Sequence, residues 1–310
     1  MMATQAITTA GTPRRRRRFT GGVGSDGLAG WLFAAPAIIG FAAFFVWPAL
    51  RGAYFSFTEY SLLGQPDWVG FANYERLIGD SVFWNALGVT VYYVVLNIGF
   101  QTVLALAVAV LLHRLTQSIV VRGIMLVPYM IANVIAALVW FYMFDYQIGV
   151  VNEFISWVGL DRLAFFGDSA LAIPTIAFIN VWRHLGYTAL LIFAGLQMIP
   201  KDVYEAGALD GAGELRMFRS ITLPLLRPVL AMVLVVTVTG AFQVFDTVAV
   251  TTSGGPVNAT RVINFYIYDV AFTRGEFGYG SALAMALFVL LAVFTYIQLR
   301  ATRANQSDLG

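Results

Sequence analysis

The chain has 310 residues, of which 59% are hydrophobic and only 12% charged, with a mean hydropathy of +0.75. Soluble domains carry about 25% charged residues, so an ordinary soluble domain is excluded and an integral membrane protein is implied. No cysteine occurs, which excludes disulfides and thiol chemistry, and the net charge of +2 informs only through its distribution.

Residues 1–30 are polar and glycine-rich, with five consecutive arginines at 14–18. Such a run suits either nucleic acid or anionic lipid, and in a membrane protein the lipid-facing cytoplasmic anchor is favoured. The apolar run at 27–50 is too long for the core of a cleaved signal peptide. Six apolar spans follow, at 31–56, 83–112, 123–144, 171–195, 228–251 and 279–299. Each can cross a hydrocarbon core of about 30 Å as a helix. The second is longer than one crossing needs, so it is expected to tilt or to start along the interface. The resulting class is an all-α integral membrane protein with six transmembrane helices at 31–300 and a tail at each end, 1–30 and 301–310.

Arginine and lysine set the orientation. Thirteen lie in the N-terminal tail, the loop after span two, the loop between spans four and five, and the C-terminal tail. Only Arg76, Arg162, Arg261 and Arg274 lie in the opposite loops. Both termini and the loop at about 196–227 are therefore expected in the cytoplasm of a cell-membrane, multi-pass protein.

The polar groups inside the spans are few. Arg183 and His184 lie in span four and Asp246 in span five. A charge at bilayer depth costs several kcal/mol unless it is paired or faces water. Two readings stand, an Arg183–Asp246 pair that glues helices and a polar solute pathway. Asn180, Arg183/His184, Tyr187 and Leu191 share one helical stripe, as do Thr237, Gly240/Ala241, Val244 and Val248. No P-loop, catalytic cluster or metal set accompanies them, since the two histidines, His113 and His184, lie far apart. No cofactor is expected on this chain.

The loop between spans four and five reads EAGALDGAGELRMFRSITLP from Glu205 to Pro224. Pro200 can open a short helix, and Gly211 and Gly213 sit where it should stop. A second helical piece over 214–219 is expected to halt before Leu223-Pro224. Glu205-Ala206-Gly207, Gly211 and Ile221-Thr222-Leu223-Pro224 have the spacing of the EAA signature of ABC-transporter permeases, with Gly207 in place of an alanine. Leu196-Gln197-Met198-Ile199-Pro200, Asp210-Gly211-Ala212, Phe245-Asp246 and Gly254-Gly255-Pro256 resemble the maltose-type carbohydrate-uptake permeases. So does Trp68-Val69-Gly70-Phe71-Ala72-Asn73-Tyr74, a segment equally able to anchor at the interface or to meet a partner.

The resemblance, over roughly residues 30–300, implies a type I, maltose-permease-like importer subunit that moves a carbohydrate by alternating access. It implies a second homologous permease, an ATPase dimer that holds ATP and Mg, and an extracytoplasmic solute-binding protein, and it implies no nucleic acid. Tyr204, Glu205, Ala206, Gly207, Leu209, Asp210, Gly211 and Ala212 would then form the coupling helix. Solute contacts carry over onto Arg183, His184, Tyr187, Thr237, Gly240, Ala241, Val244 and Asp246. Several are not the residue types a disaccharide-binding relative uses, so the sister permease would supply further sugar hydrogen bonds. Glycerol phosphate or an amino sugar is the alternative solute, and a secondary transporter, with Arg183 and Asp246 as coupling groups, the alternative class.

Overall fold

The structure, a computed structural model, describes residues 23–61, 64–116 and 118–304. The arginine run at 14–18 and the end of the C-terminal tail lie outside them. The chain divides after Arg51 into two compact units. The first holds helix α1 (Val23–Phe41) and the start of α2 (Trp47–Phe55), joined by a widened turn over Ala42–Val46. There the Trp47 N–H reaches back to the Ala42 carbonyl. Pro48 follows at once. A proline ring clashes with the carbonyl four residues back, and an extra residue in the preceding turn makes room.

The second unit begins with a two-residue ladder, β1 (Thr58–Glu59) antiparallel to β2 (Asp67–Trp68). Asn73 donates to the Ser56 and Thr58 carbonyls at 3.0 and 2.9 Å, and Phe57 stacks on Trp68. The Trp-Gly-Asn-Tyr segment is thus the clasp of this small substructure. The helices follow: α3 (Ala72–Gly79), α4 (Ser81–Leu115), α5 (Ile119–Met130), α6 (Asn133–Met143), α7 (Val150–Trp157), α8 (Ala172–Gln197), α9 (Lys201–Leu209), α10 (Glu214–Met217), α11 (Leu223–Phe242), α12 (Asp246–Thr251), α13 (Ile263–Tyr268) and α14 (Phe277–Ala304). Among the described residues five helical stretches are long and apolar enough to cross a membrane, six when α5 and α6 count as one broken span.

Packing centres on α4 and α8. Ala105, Ala109, Ile192, Phe193 and Leu226 form one core cluster, and Tyr93, Ile173, Phe242 and Val248 another. Beside them α5 crosses α8 at Gly186, where a Cβ would lie 1.8 Å from the Met125 carbonyl oxygen. Only glycine permits that approach.

Three expectations need correction. The third span is not one helix: it breaks at Ile131-Ala132, three residues after Pro128, and turns by 89°. The fifth span is not continuous over 228–251, since α11 ends at Phe242 and α12 restarts at Asp246. The helix after Gly213 does not halt before Pro224. It runs into α11 through a widened turn over Phe218–Thr222, in which the Leu223 N–H reaches the Phe218 carbonyl. This again makes room for a proline just downstream.

Candidate functional site: a cavity at two helix breaks

The breaks in the third and fifth spans lie beside one another. Asn133, the first residue of α6, donates from Nδ2 to Asp246 Oδ2 at 3.0 Å, and Asp246 opens α12. A carboxylate in the first turn of a helix is favoured by the helix dipole. A break in a membrane helix strips carbonyls of their partners, and in a bilayer each must be satisfied within the protein. Both breaks meet this requirement with a side chain from another element. Arg183, on α8, donates from Nε to the Ile131 carbonyl at 2.8 Å and from Nη2 to the Tyr129 carbonyl at 3.2 Å. Asn264, on α13, donates to the Phe242 carbonyl at 3.1 Å.

Between the breaks lies a cavity of about 240 Å³. Seven of the eight pathway residues chosen from sequence line it: His184, Tyr187, Thr237, Gly240, Ala241, Val244 and Asp246. Arg183 does not. Its guanidinium is spent on the carbonyls of the broken span and on His184, and it forms no ion pair with Asp246. The helix-gluing pair is therefore replaced by an Asn133–Asp246 hydrogen bond. Of the two stripes, Leu191 stays off the cavity and Val248 is fully buried in the core.

The wall that sequence reasoning missed is α4. Asn97, Gln101 and Thr188 line the cavity and form a chain, Asn97 Nδ2 to Gln101 Oε1 at 3.1 Å and Gln101 Nε2 to Thr188 Oγ1 at 2.7 Å. Two amides four residues apart in an apolar span were the available signal, since burying a polar group costs free energy unless it is hydrogen-bonded. Tyr129 was missed as well. Its ring stacks on Tyr187 with centroids 4.4 Å apart and planes 8° apart, giving the cavity a flat apolar side.

At the other sequence-chosen site, α9 is capped by Pro200 and ends in a Schellman turn. The Gly211 N–H bonds the Ala208 carbonyl and the Ala212 N–H bonds the Gly207 carbonyl, both at 3.0 Å, with Gly211 at φ +74°. Tyr204 faces inward and its hydroxyl pairs with Thr222 Oγ1 at 2.9 Å. Gly207 packs against Ile221. Glu205, Ala206, Leu209 and Asp210 are exposed, and Leu209, 90% exposed, presents an apolar side chain outward. Glu205 lies in mid-helix and makes no side-chain hydrogen bond among the described residues; the acidic residue of the first turn is Asp202. Arg114, at the end of α4, is ion-paired with Glu214 at 2.6 Å and ties the loop to the bundle.

Residues 101–302 match the family described as the binding-protein-dependent transport system inner membrane component. The chain is 34% identical to the trehalose/maltose transport system permease protein MalF of Thermococcus litoralis, over 88% of this chain and 93% of that one. It is also 34% identical to the sulfoquinovosyl glycerol transport system permease protein SmoG of Agrobacterium fabrum, over 90% and 92%. Among solved structures, a bacterial ABC transporter involved in the import of the acidic polysaccharide alginate superposes with a TM-score of 0.80 at 25% identity, covering 91% of this chain and 98% of that one.

Proposed function

This chain belongs to the family of binding-protein-dependent transport system inner membrane components, and from that premise we propose how its parts divide the work of import. It is a multi-pass permease subunit of a carbohydrate ABC importer and not an enzyme. The cavity between the broken third and fifth spans is the solute's place in the membrane, and the exposed face of α9 is where an ATPase subunit docks. ATP hydrolysis belongs to that subunit, and a sister permease and an extracytoplasmic binding protein complete the assembly. Both termini and the α9 loop face the cytoplasm, as the arginine and lysine distribution favours.

The observation that carries this reading is the meeting of the two breaks. Irregular backbone at membrane depth is tolerated only where it is buried in protein or lines a cavity, and here it does so beside amide, hydroxyl and carboxylate groups that suit a sugar. Alternating access requires that ATP favour one global arrangement of the bundle over the other. In the reconstituted complex with its binding protein, a transported sugar is expected to raise ATP turnover several-fold. Turnover indifferent to every sugar would defeat the reading. Orientation is tested separately: a cysteine replacing Ser253, in a chain with no native thiol, is expected to react with an impermeant reagent only from outside.

A further inference from the structure

Three ionisable groups near the cavity decide its charge. A guanidinium can only donate hydrogen bonds, and a carbonyl can only accept them. Arg183 directs Nε and Nη2 at the Ile131 and Tyr129 carbonyls, and its Nη1 lies 3.0 Å from His184 Nε2. It is absent from the cavity lining. His184 does line the cavity, and its two neighbours fix its form. Nε2 faces a donor and so carries no proton. Nδ1 lies 3.0 Å from the Asn180 carbonyl and so carries one. The imidazole is neutral. Among the lining residues Asp246 is then the one formal charge, while the Arg183 cation stands behind the lining and acts on Asp246 only through space.

The remaining polar surface leans the same way. Asn97 is 2% exposed, and its Oδ1 has no partner among the described residues although Nδ2 is engaged. Asp246 retains lone pairs beyond the one that Asn133 meets. The α12 wall therefore offers acceptors, which sugar hydroxyls answer by donating, while the unpartnered Asn97 oxygen is shut off from the cavity surface. A phosphate, sulfate or carboxylate brings acceptor oxygens and a second negative charge. At low effective dielectric, repulsion from Asp246 is felt far more strongly than in water.

We propose that this cavity admits an uncharged polyhydroxy solute and discriminates against anionic ones, with Asp246 as the specificity-determining residue. The inference rests on the import reading above and narrows it. Relatives divide on this point, from trehalose and maltose to an acidic polysaccharide, so family membership does not decide it. Glycerol phosphate, the alternative solute suggested by Arg183, finds that guanidinium off the cavity lining, with three of its five N–H donors already engaged.

The test uses the assembled complex. Thr237 lines the same cavity, and the chain has no native thiol, so Thr237→Cys reports the local potential. Its modification by a cationic trimethylammonium and an anionic sulfonate methanethiosulfonate is followed by mass spectrometry of this chain and normalised to a free thiol in solution. The cationic reagent is expected to react at least ten-fold faster. Asp246→Asn should bring the ratio towards one, whereas Asp246→Glu should preserve it. A ratio near or below one with Asp246 present, or one that Asp246→Asn leaves unchanged, overturns the assignment. In parallel, trehalose, maltose, glycerol 3-phosphate and alginate oligosaccharides are presented through the binding protein. Stimulated ATP turnover by an anionic probe overturns the solute half of the proposal. Silence with every probe overturns the import reading and that half with it, while the thiol ratio still reports the cavity's charge.

Discussion

Arg183 carries a full charge into a membrane span and lowers the cost of being there by satisfying two carbonyls of the broken third span. It also lies over the Tyr129 ring, its guanidinium carbon 5.4 Å from the centroid. Arg183→Met removes these donors, and each buried carbonyl left unpartnered costs about 1–3 kcal/mol. Thermal unfolding of the purified complex is expected to shift down by several degrees. Arg183→Lys should recover only part of the loss, because an ammonium cannot reproduce the planar fork that reaches both carbonyls. A solute-contact role without a structural one would leave the unfolding temperature unchanged. The sequence marks Arg183 as an intramembrane charge, and that much is legible. Its partners are not, because carbonyls 52 and 54 residues away become available only once the third span breaks. Asn97 and Gln101 were more readable, as amides at helical spacing within an apolar run.

At the scale of elements, one carboxylate ties together the ends of three helices. Asp80 caps α4 by accepting from the Val82 N–H at 2.9 Å and the Phe83 N–H at 3.3 Å. It also accepts from the hydroxyls of Tyr266 on α13 and, at 2.6 Å, Tyr279 on α14. Burial alone would raise its pKa, but these four donors outweigh burial and hold it below the usual carboxylate value. Burial and then the Asp80 carboxylate push the Tyr266 phenol up to about 12. A depressed folded-state pKa gives stability that is fully present above the unfolded value and lost as pH falls through the folded one. Asp80→Ala should therefore lower the unfolding temperature at neutral pH, with the cap alone worth about 1 kcal/mol. The gap to the parent should narrow as the pH drops into and below the carboxylate range. A gap independent of pH would show that the carboxylate's charge is not what binds the helices. Helix positions were legible because apolar runs of spanning length have few other uses. The breaks were less so: Pro128 and Asn133 bracket one and Gln243 and Asp246 the other, but isolated prolines and amides also occur inside unbroken spans. The packing of α6 on α12, which brings the two breaks together, is encoded by no local pattern.

Across the whole molecule, in the function proposed above, the α9 loop turns an event in a separate ATPase into movement of the bundle, and rigidity is its first requirement. The Schellman turn closes the loop on itself, the Tyr204–Thr222 contact holds α9 against the turn that leads into α11, and the exposed Arg114–Glu214 pair links the loop to α4. Its geometry was largely legible, because a glycine one turn beyond an alanine-rich helix has few alternatives. Gly211 at φ +74° has no heavy atom within 4 Å of where a Cβ would sit, so nothing inside this chain forbids a side chain there. The internal cost of Gly211→Asp is conformational, about 1–2 kcal/mol at most, and aspartate is among the residues that tolerate such angles best. Membrane insertion should therefore survive. A docked ATPase would meet both the new bulk and a second negative charge beside Asp210. ATPase copurification and solute-stimulated turnover are expected to fall at least ten-fold. Gly207→Ala is the control. Its Cβ would lie 2.9 Å from Ile221 Cδ1, the free end of a flexible side chain that can rotate aside, and alanine gains about 1 kcal/mol of helix propensity over glycine. That variant should dock and turn over normally. If Gly211→Asp also did so, α9 would not be the element through which the ATPase acts.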